Sequence, residues 1–167
     1  VGVTAFISIG SNLGAREEMC REAAVNLAAL SEVTILKESS LYESLPWGRT
    51  DQGAFINSVV IIDTTFSAEE LLVVLKKIEA MMGRVKADDV GADNRWGPRV
   101  IDLDILTFGD LVVDTEELTI PHKYLHERAF VLLPLAEIAP ELRHPVSGKT
   151  VEEQLLECGD LRSVKKI

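Results

Sequence analysis

The chain has 167 residues, 47% of them hydrophobic and 26% charged, which suits one globular domain with its own core and excludes a disordered or fibrous polymer. A formal net charge of −10 argues against nucleic-acid or membrane-surface binding, since both want a basic footprint, but leaves room for a phosphate ligand held by a few placed cations. Cys20 and Cys158 stand far apart without metal-ligand spacing, so neither a disulfide framework nor a zinc site is expected, and a reducing cytoplasm is the natural compartment.

The first run, "VGVTAFISIG", has no basic leader and reads as a strand over Val3–Ile9; no apolar run in the chain reaches the ~18 residues of a membrane span. "GSNLG" (Gly10–Gly14) reads as a turn in which Ser11 or Asn12 caps a helix from Ala15 to Leu30, with Met19, Ala23, Leu27 and Leu30 as its apolar stripe. Val33–Tyr42 and Ala54–Asp63 are the next strands, separated by the long connection "SLPWGRTDQG". "SAEE" at Ser67–Glu70 is a capping box, and the helix it opens runs to Met82 with Leu71, Leu75, Ile78 and Met82 facing the core. A second long connection, Arg84–Pro98, leads into a strand over Val100–Phe108. Connections of that length are binding loops, lids or solvated surface. A short extended region and two helical segments, Glu127–Ile138 and Val151–Cys158, close the chain. The order predicts one α+β domain over residues 1–167, a ferredoxin-like βαββαβ antiparallel sheet with helices on one face and extra C-terminal elements.

The chemistry concentrates in "RWGPRVIDLDIL", Arg95–Leu106. Alternate strand residues share a face, so Ile101, Leu103 and Ile105 can enter the core while Asp102 and Asp104 point the other way, with α-carbons roughly 6.5–7 Å apart. Two carboxylates that close are tolerable if water or a cation reaches both, and hard oxygen donors at that spacing suit Mg²⁺. A solvent-facing strand decorated with two acids is the plainer alternative. Arg95 and Arg99 flank the rigid "WGP" turn and bring cations to the pair, the equipment of phosphoryl transfer. Glu79 sits beside its helix's apolar stripe, either as a boundary acid paired with Lys or Arg or as a support for the aspartates. His122 and His126 are spaced i, i+4 but lack the HExxH pattern, so zinc is not favoured, and His122 with Arg128 either suits a phosphate or is ordinary polar decoration of a helix start. Phe55 and Asn57 share a strand face and could hold a flat heterocycle, or simply be a core ring beside a bonded amide.

"GSNLG", "FINSVV", "GRV…RWGPRVIDLDIL" and "TIPH…ERAFVLLPLAEIAP" together resemble the 6-hydroxymethyl-7,8-dihydropterin pyrophosphokinase family, over Val3 to Pro140. The resemblance implies pyrophosphate transfer from ATP to the pterin hydroxymethyl group with release of AMP, in folate biosynthesis, on a ferredoxin-like fold with two Mg²⁺ ions. It makes Asp102 and Asp104 the metal ligands and sets Arg84 and Arg95 against the transferring phosphates. Arg99, His122 and Arg128 would hold ATP phosphates, and the backbone of Ile105 would meet the adenine. Phe55 and Phe130 would sandwich the pterin, with Asn57 and the backbone of Ser44 and Leu45 at its edge and Trp47 and Trp96 closing over it. ATP and the pterin are the partners implied, with no nucleic acid, no membrane and no obligate protein partner. The chain departs from the family in a longer, acidic Arg84–Arg95 segment, in Lys123 where an aromatic is common, and in Glu117 where a basic residue can help hold ATP.

Overall fold

The computed structural model describes residues 2–44, 54–83, 100–159 and 161–167. The elements run β1 (Val3–Ser11), α1 (Arg16–Ala28), β2 (Val33–Glu38), β3 (Tyr42–Ser44), β4 (Phe55–Thr64), α2 (Ala68–Met81), β5 (Asp102–Phe108), β6 (Val113–Asp114), β7 (Thr119–Ile120), α3 (Ala129–Ile138), α4 (Val151–Glu157) and β8 (Val164–Lys166). The main sheet has the order β5-β1-β4-β3-β8, with β2 also paired to β4. Its pairings are antiparallel throughout. β1 covers one edge of β4 over Ile56–Thr64; β2 and β3 share the other edge, β2 beside Val60–Thr64 and β3 beside Phe55–Asn57. This is the expected split-βαβ sheet extended by one C-terminal strand.

The single strand expected over Val33–Tyr42 is broken in two. Ser39 explains the break: its backbone N–H donates to the Val59 carbonyl at 2.9 Å while its hydroxyl accepts the Val59 N–H at 2.9 Å. A serine side chain thus takes a ladder position that backbone would otherwise fill. α2 begins as its capping box predicts, with the Ser67 hydroxyl accepting from Glu70 N at 3.1 Å and Glu70 returning the bond to Ser67 N at 2.9 Å.

Helices on one face holds for the βαββαβ unit, while the extra C-terminal helices take the other face. α1 and α2 cover one face, where Cys20, Ala23, Leu27, Leu71, Leu75 and Ile78 pack on Ala5, Ile7, Ile9, Ile56, Val60, Ile62, Leu103 and Ile105. α3 and α4 cover the other, where Val131, Leu132, Leu135, Ile138 and Val151 pack on Phe6, Val59 and Leu106. β1 and β4 are apolar at successive positions, not alternate ones, and a strand apolar on both sides requires cover on both. The second cover is incomplete: α3 and α4 shield only the half of that face carrying Phe6, Val59 and Leu106, and the other half, carrying Gly10, Ser8 and Asn57, opens to a cavity.

Candidate active site

β5 is an edge strand, and its two-residue period sorts the side chains as the sequence predicts. Leu103 and Ile105 are 4% and 5% exposed in the α2-side core. Asp102 and Asp104 lie on the opposite face, opposite Gly10 and Ser8 of β1. Because both of those neighbours are small, the carboxylates border open space, a cavity of about 410 Å³. The strand is fixed between them by Glu79, whose buried carboxylate accepts the Leu103 N–H at 2.8 Å. That bond supports the aspartate strand, one of the two roles open to Glu79 in sequence. Among the described residues no three His, Cys, Asp or Glu side chains gather as a metal cage. A pair of carboxylates fits a hard ion that keeps waters and shares its remaining sites with phosphate oxygens, which is the habit of Mg²⁺.

Beside the aspartates, His122 is anchored by its own backbone N–H to the Leu106 carbonyl at 2.9 Å. Its Nδ1 accepts from Tyr124 N at 3.2 Å, which leaves the proton on Nε2, 3.8 Å from Asp104 Oδ2. Burial, and next the Arg128 charge, push the imidazole pKa down to about 4 against a smaller pull from Asp102. At neutral pH it is therefore an uncharged N–H donor, and its approach to Asp104 is not an ion pair. Arg128 precedes α3 and is buried, with its guanidinium 5.2 Å from the Tyr124 ring centroid and 5.4 Å from that of Phe130. Two rings orient a planar cation there.

The same cavity has aromatic walls. Phe55, at the start of β4, and Phe130, in the first turn of α3, both line it and both stay partly exposed. Asn57 lies between β4 and the cavity, 4% exposed, and its Nδ2 donates to the Ser44 hydroxyl at 3.4 Å. A Cβ on Gly10 would stand 2.6 Å from Asn57 Oδ1, so the amide lies where only glycine leaves room.

One cavity thus collects Asp102, Asp104, Ile105, His122, Arg128, Phe55, Asn57 and Phe130. Ser44 is one hydrogen bond away through Asn57. Leu45, Trp47, Arg84, Arg95, Trp96 and Arg99 lie outside the described residues. His122 and His126 part company: His126 lies in a 3-10 turn with Nε2 3.3 Å from Glu127 Oε1 and lines a different cavity. "GSNLG" is not the helix cap it resembles in sequence, because α1 begins after Ala15 with no side-chain cap and Gly10 and Ser11 belong to β1. Ser8, Gly10, Lys76 and Tyr124 also line the cavity and escape a reading from sequence. Gly10 becomes a signal only once β1 is seen to reach Ser11, since a glycine inside a strand marks a close approach.

The family model described as 7,8-dihydro-6-hydroxymethylpterin-pyrophosphokinase (HPPK) matches residues 6–140. A 2-amino-4-hydroxy-6-hydroxymethyldihydropteridine pyrophosphokinase of Methylorubrum extorquens is 44% identical over 151 residues, 90% of each chain. The protein of the same name from Pseudomonas aeruginosa is 41% identical over 153 residues, covering 92% of this chain and 90% of its own. Among solved structures, a Plasmodium falciparum HPPK-DHPS with pteroate superposes on 94% of this chain with a TM-score of 0.73 at 19% identity. This chain spans 42% of that one, and at such identity the likeness is one of fold. With the motifs in order, the fold in agreement and the family model matched from the first strand to the end of α3, the chain belongs to the 7,8-dihydro-6-hydroxymethylpterin-pyrophosphokinase family.

Proposed function

We infer that the cavity is the active site of a pyrophosphokinase, in which ATP passes its terminal pyrophosphate to the hydroxymethyl group of 6-hydroxymethyl-7,8-dihydropterin, a step of folate biosynthesis. The observation that carries this reading is that one cavity gathers two sets of groups, first the β5 carboxylates with a neutral histidine and an arginine, and second two partly exposed phenylalanines with an amide, Phe130 lying beside the arginine. The first suits a polyphosphate and the second a flat, hydrogen-bonding heterocycle.

In the reaction the pterin hydroxyl oxygen bonds to the β-phosphorus, the bond from that phosphorus to the α,β-bridging oxygen breaks, and AMP departs with that oxygen. The hydroxyl proton is released; no side chain is assigned to take it. Asp102 and Asp104 would hold Mg²⁺, two ions in all, which when bound neutralise phosphate charge. The remaining work is positioning and electrostatics. His122 offers its Nε2–H to a phosphate oxygen without adding a titrating charge at neutral pH. Arg128 supplies a fixed positive charge, Phe55 and Phe130 fix the ring, and Asn57 reads its edge beside Ser44. Ile105 brings its backbone to the adenine. Arg84, Arg95 and Arg99 are assigned to the phosphates, and Leu45, Trp47 and Trp96 to the pterin, on the family motif. We read residues 1–167 as one domain acting in the cytoplasm on these two small molecules, without nucleic acid or an obligate protein partner. No helix among the described residues is long and apolar enough to cross a membrane.

The test is a product assay with ATP, Mg²⁺ and the pterin, separating AMP from ADP. Pterin-dependent AMP is expected. ADP would keep a kinase and discard pyrophosphoryl transfer, and no nucleotide consumption by folded protein would favour a ligand-binding module.

A further inference from the structure

The strand ends that carry Phe55 and Ser44 are held by a side chain that does not line the cavity. Arg16 is the first residue of α1, on the sheet face opposite the cavity. Its Nη1 donates to the Ala54 carbonyl at 2.6 Å and its Nη2 to Glu43 Oε2 at 3.2 Å. Ala54 immediately precedes Phe55, and Glu43 immediately precedes Ser44. Phe55 and Ser44 are themselves register partners, and the next pair is Glu43 with Ile56. Cross-strand partners share a face, so Glu43 lies with Ile56 on the helix side and Ser44 with Phe55 on the cavity side. One guanidinium therefore ties together the last turn of ladder between β3 and β4 from behind.

We propose that Arg16 is a positioning residue for the heterocyclic substrate, fixing the β3 and β4 ends that present Ser44, Phe55 and, through Ser44, Asn57. The proposal rests on the reading that these residues meet the pterin. Three observations favour positioning over simple stability. The Arg16 and Glu43 side chains are 31% and 40% exposed, and ion pairs of that exposure add little to folding. The β3–β4 ladder has only three register pairs, and although Ser44 is also paired to Val164 of β8, Phe55 has no register partner on β1, so the β4 end has few other restraints. The two acceptors, a carbonyl and a carboxylate on different strands, suit the rigid fork of an arginine, whereas lysine offers one point charge on a flexible stem.

The experiment compares steady-state kinetics of wild type, Arg16→Met and Arg16→Lys with each substrate varied in turn. Arg16→Met is expected to raise the KM for the pterin about tenfold or more, since small displacements of a bound reactant are costly, while the KM for ATP stays within about twofold. Arg16→Lys should recover part of the loss. A thermal shift without that split, or equal rises for both substrates, would overturn the proposal. Should Arg16→Met fail to fold, Glu43→Ala removes one arm only; a smaller rise in pterin KM is expected, and none would overturn it. Wild type without pterin-dependent turnover would overturn the functional reading and this inference with it, whereas normal wild-type turnover with an unaltered pterin KM in Arg16→Met overturns the positioning role alone.

Discussion

Asn57 keeps its place in the cavity wall because its neighbour on β1 has no side chain. Replacing Gly10 with Ala sets a methyl 2.6 Å from Asn57 Oδ1, and a buried amide cannot stay there. The Asn57–Ser44 bond would be lost with it. Gly10→Ala is therefore expected to raise the pterin KM about tenfold or more with only a modest fall in melting temperature, because the methyl points toward a cavity rather than a packed core. Kinetics with each substrate varied, beside a thermal melt, check this; a collapse in stability with unchanged pterin KM would contradict it. The contrast with the aspartates shows what residue-scale reading can reach. "DLD" among β-formers betrays itself, because a charge repeated with period two on an apolar strand demands an explanation. Gly10 in "SIGSN" looks like ordinary turn chemistry, and only the register with Asn57 reveals its role. His122 stands between these cases, since its position is visible in sequence but its neutrality follows from burial beside Arg128.

At the scale of elements, capping and periodicity set α2 correctly, whereas long-range hydrogen bonds divide β2 from β3 and tie α3 to the sheet. Glu137 makes that tie. Its carboxylate, at the C-terminal end of α3 where a negative charge is disfavoured, accepts from Tyr42 Oη at 2.8 Å, Ser40 N at 3.1 Å and Ser40 Oγ at 3.0 Å. Burial pushes its pKa up, but the bonds from Tyr42 and Ser40, aided by the Lys166 charge, outweigh that and hold it below the ordinary 4.5. Burial, and then the bond to Glu137, push the Tyr42 phenol up to about 12. A carboxylate depressed in the folded state stabilises it above the unfolded pKa, and that contribution is lost as pH falls through the folded value. Glu137→Gln should cost on the order of 1 kcal/mol at neutral pH, kept small by exposure, and the gap from wild type should narrow below pH 4.5. Urea unfolding at neutral and acid pH measures it, and a gap independent of pH would contradict the assignment. No local signal pairs Glu137 with Ser40 and Tyr42, nearly a hundred positions away in the chain, so this contact was beyond sequence reading.

For the whole molecule, the sheet explains how residues so far apart in sequence meet. One face is sealed by α1 and α2, and the other is sealed only in part, by α3 and α4. The unsealed portion carries the small residues of β1, the aspartates of edge strand β5 and the amide of β4, and α3 begins beside it with Arg128 and Phe130. The strand order and the split-βαβ topology were legible because single helices alternate with strand pairs. The two-faced cover was not, because short apolar runs do not say which side a helix takes. On the proposed reading, Asp102 and Asp104 make polyphosphate binding in this cavity depend on Mg²⁺. Calorimetric titration of a non-hydrolysable ATP analogue, with and without Mg²⁺, into wild type and Asp104→Ala tests it most directly. Wild type should bind far more tightly with the ion, and Asp104→Ala should lose that gain while keeping its fold and its melting temperature. A folded Asp104→Ala protein that still binds the analogue more tightly when Mg²⁺ is added, to the same degree as wild type, would contradict it.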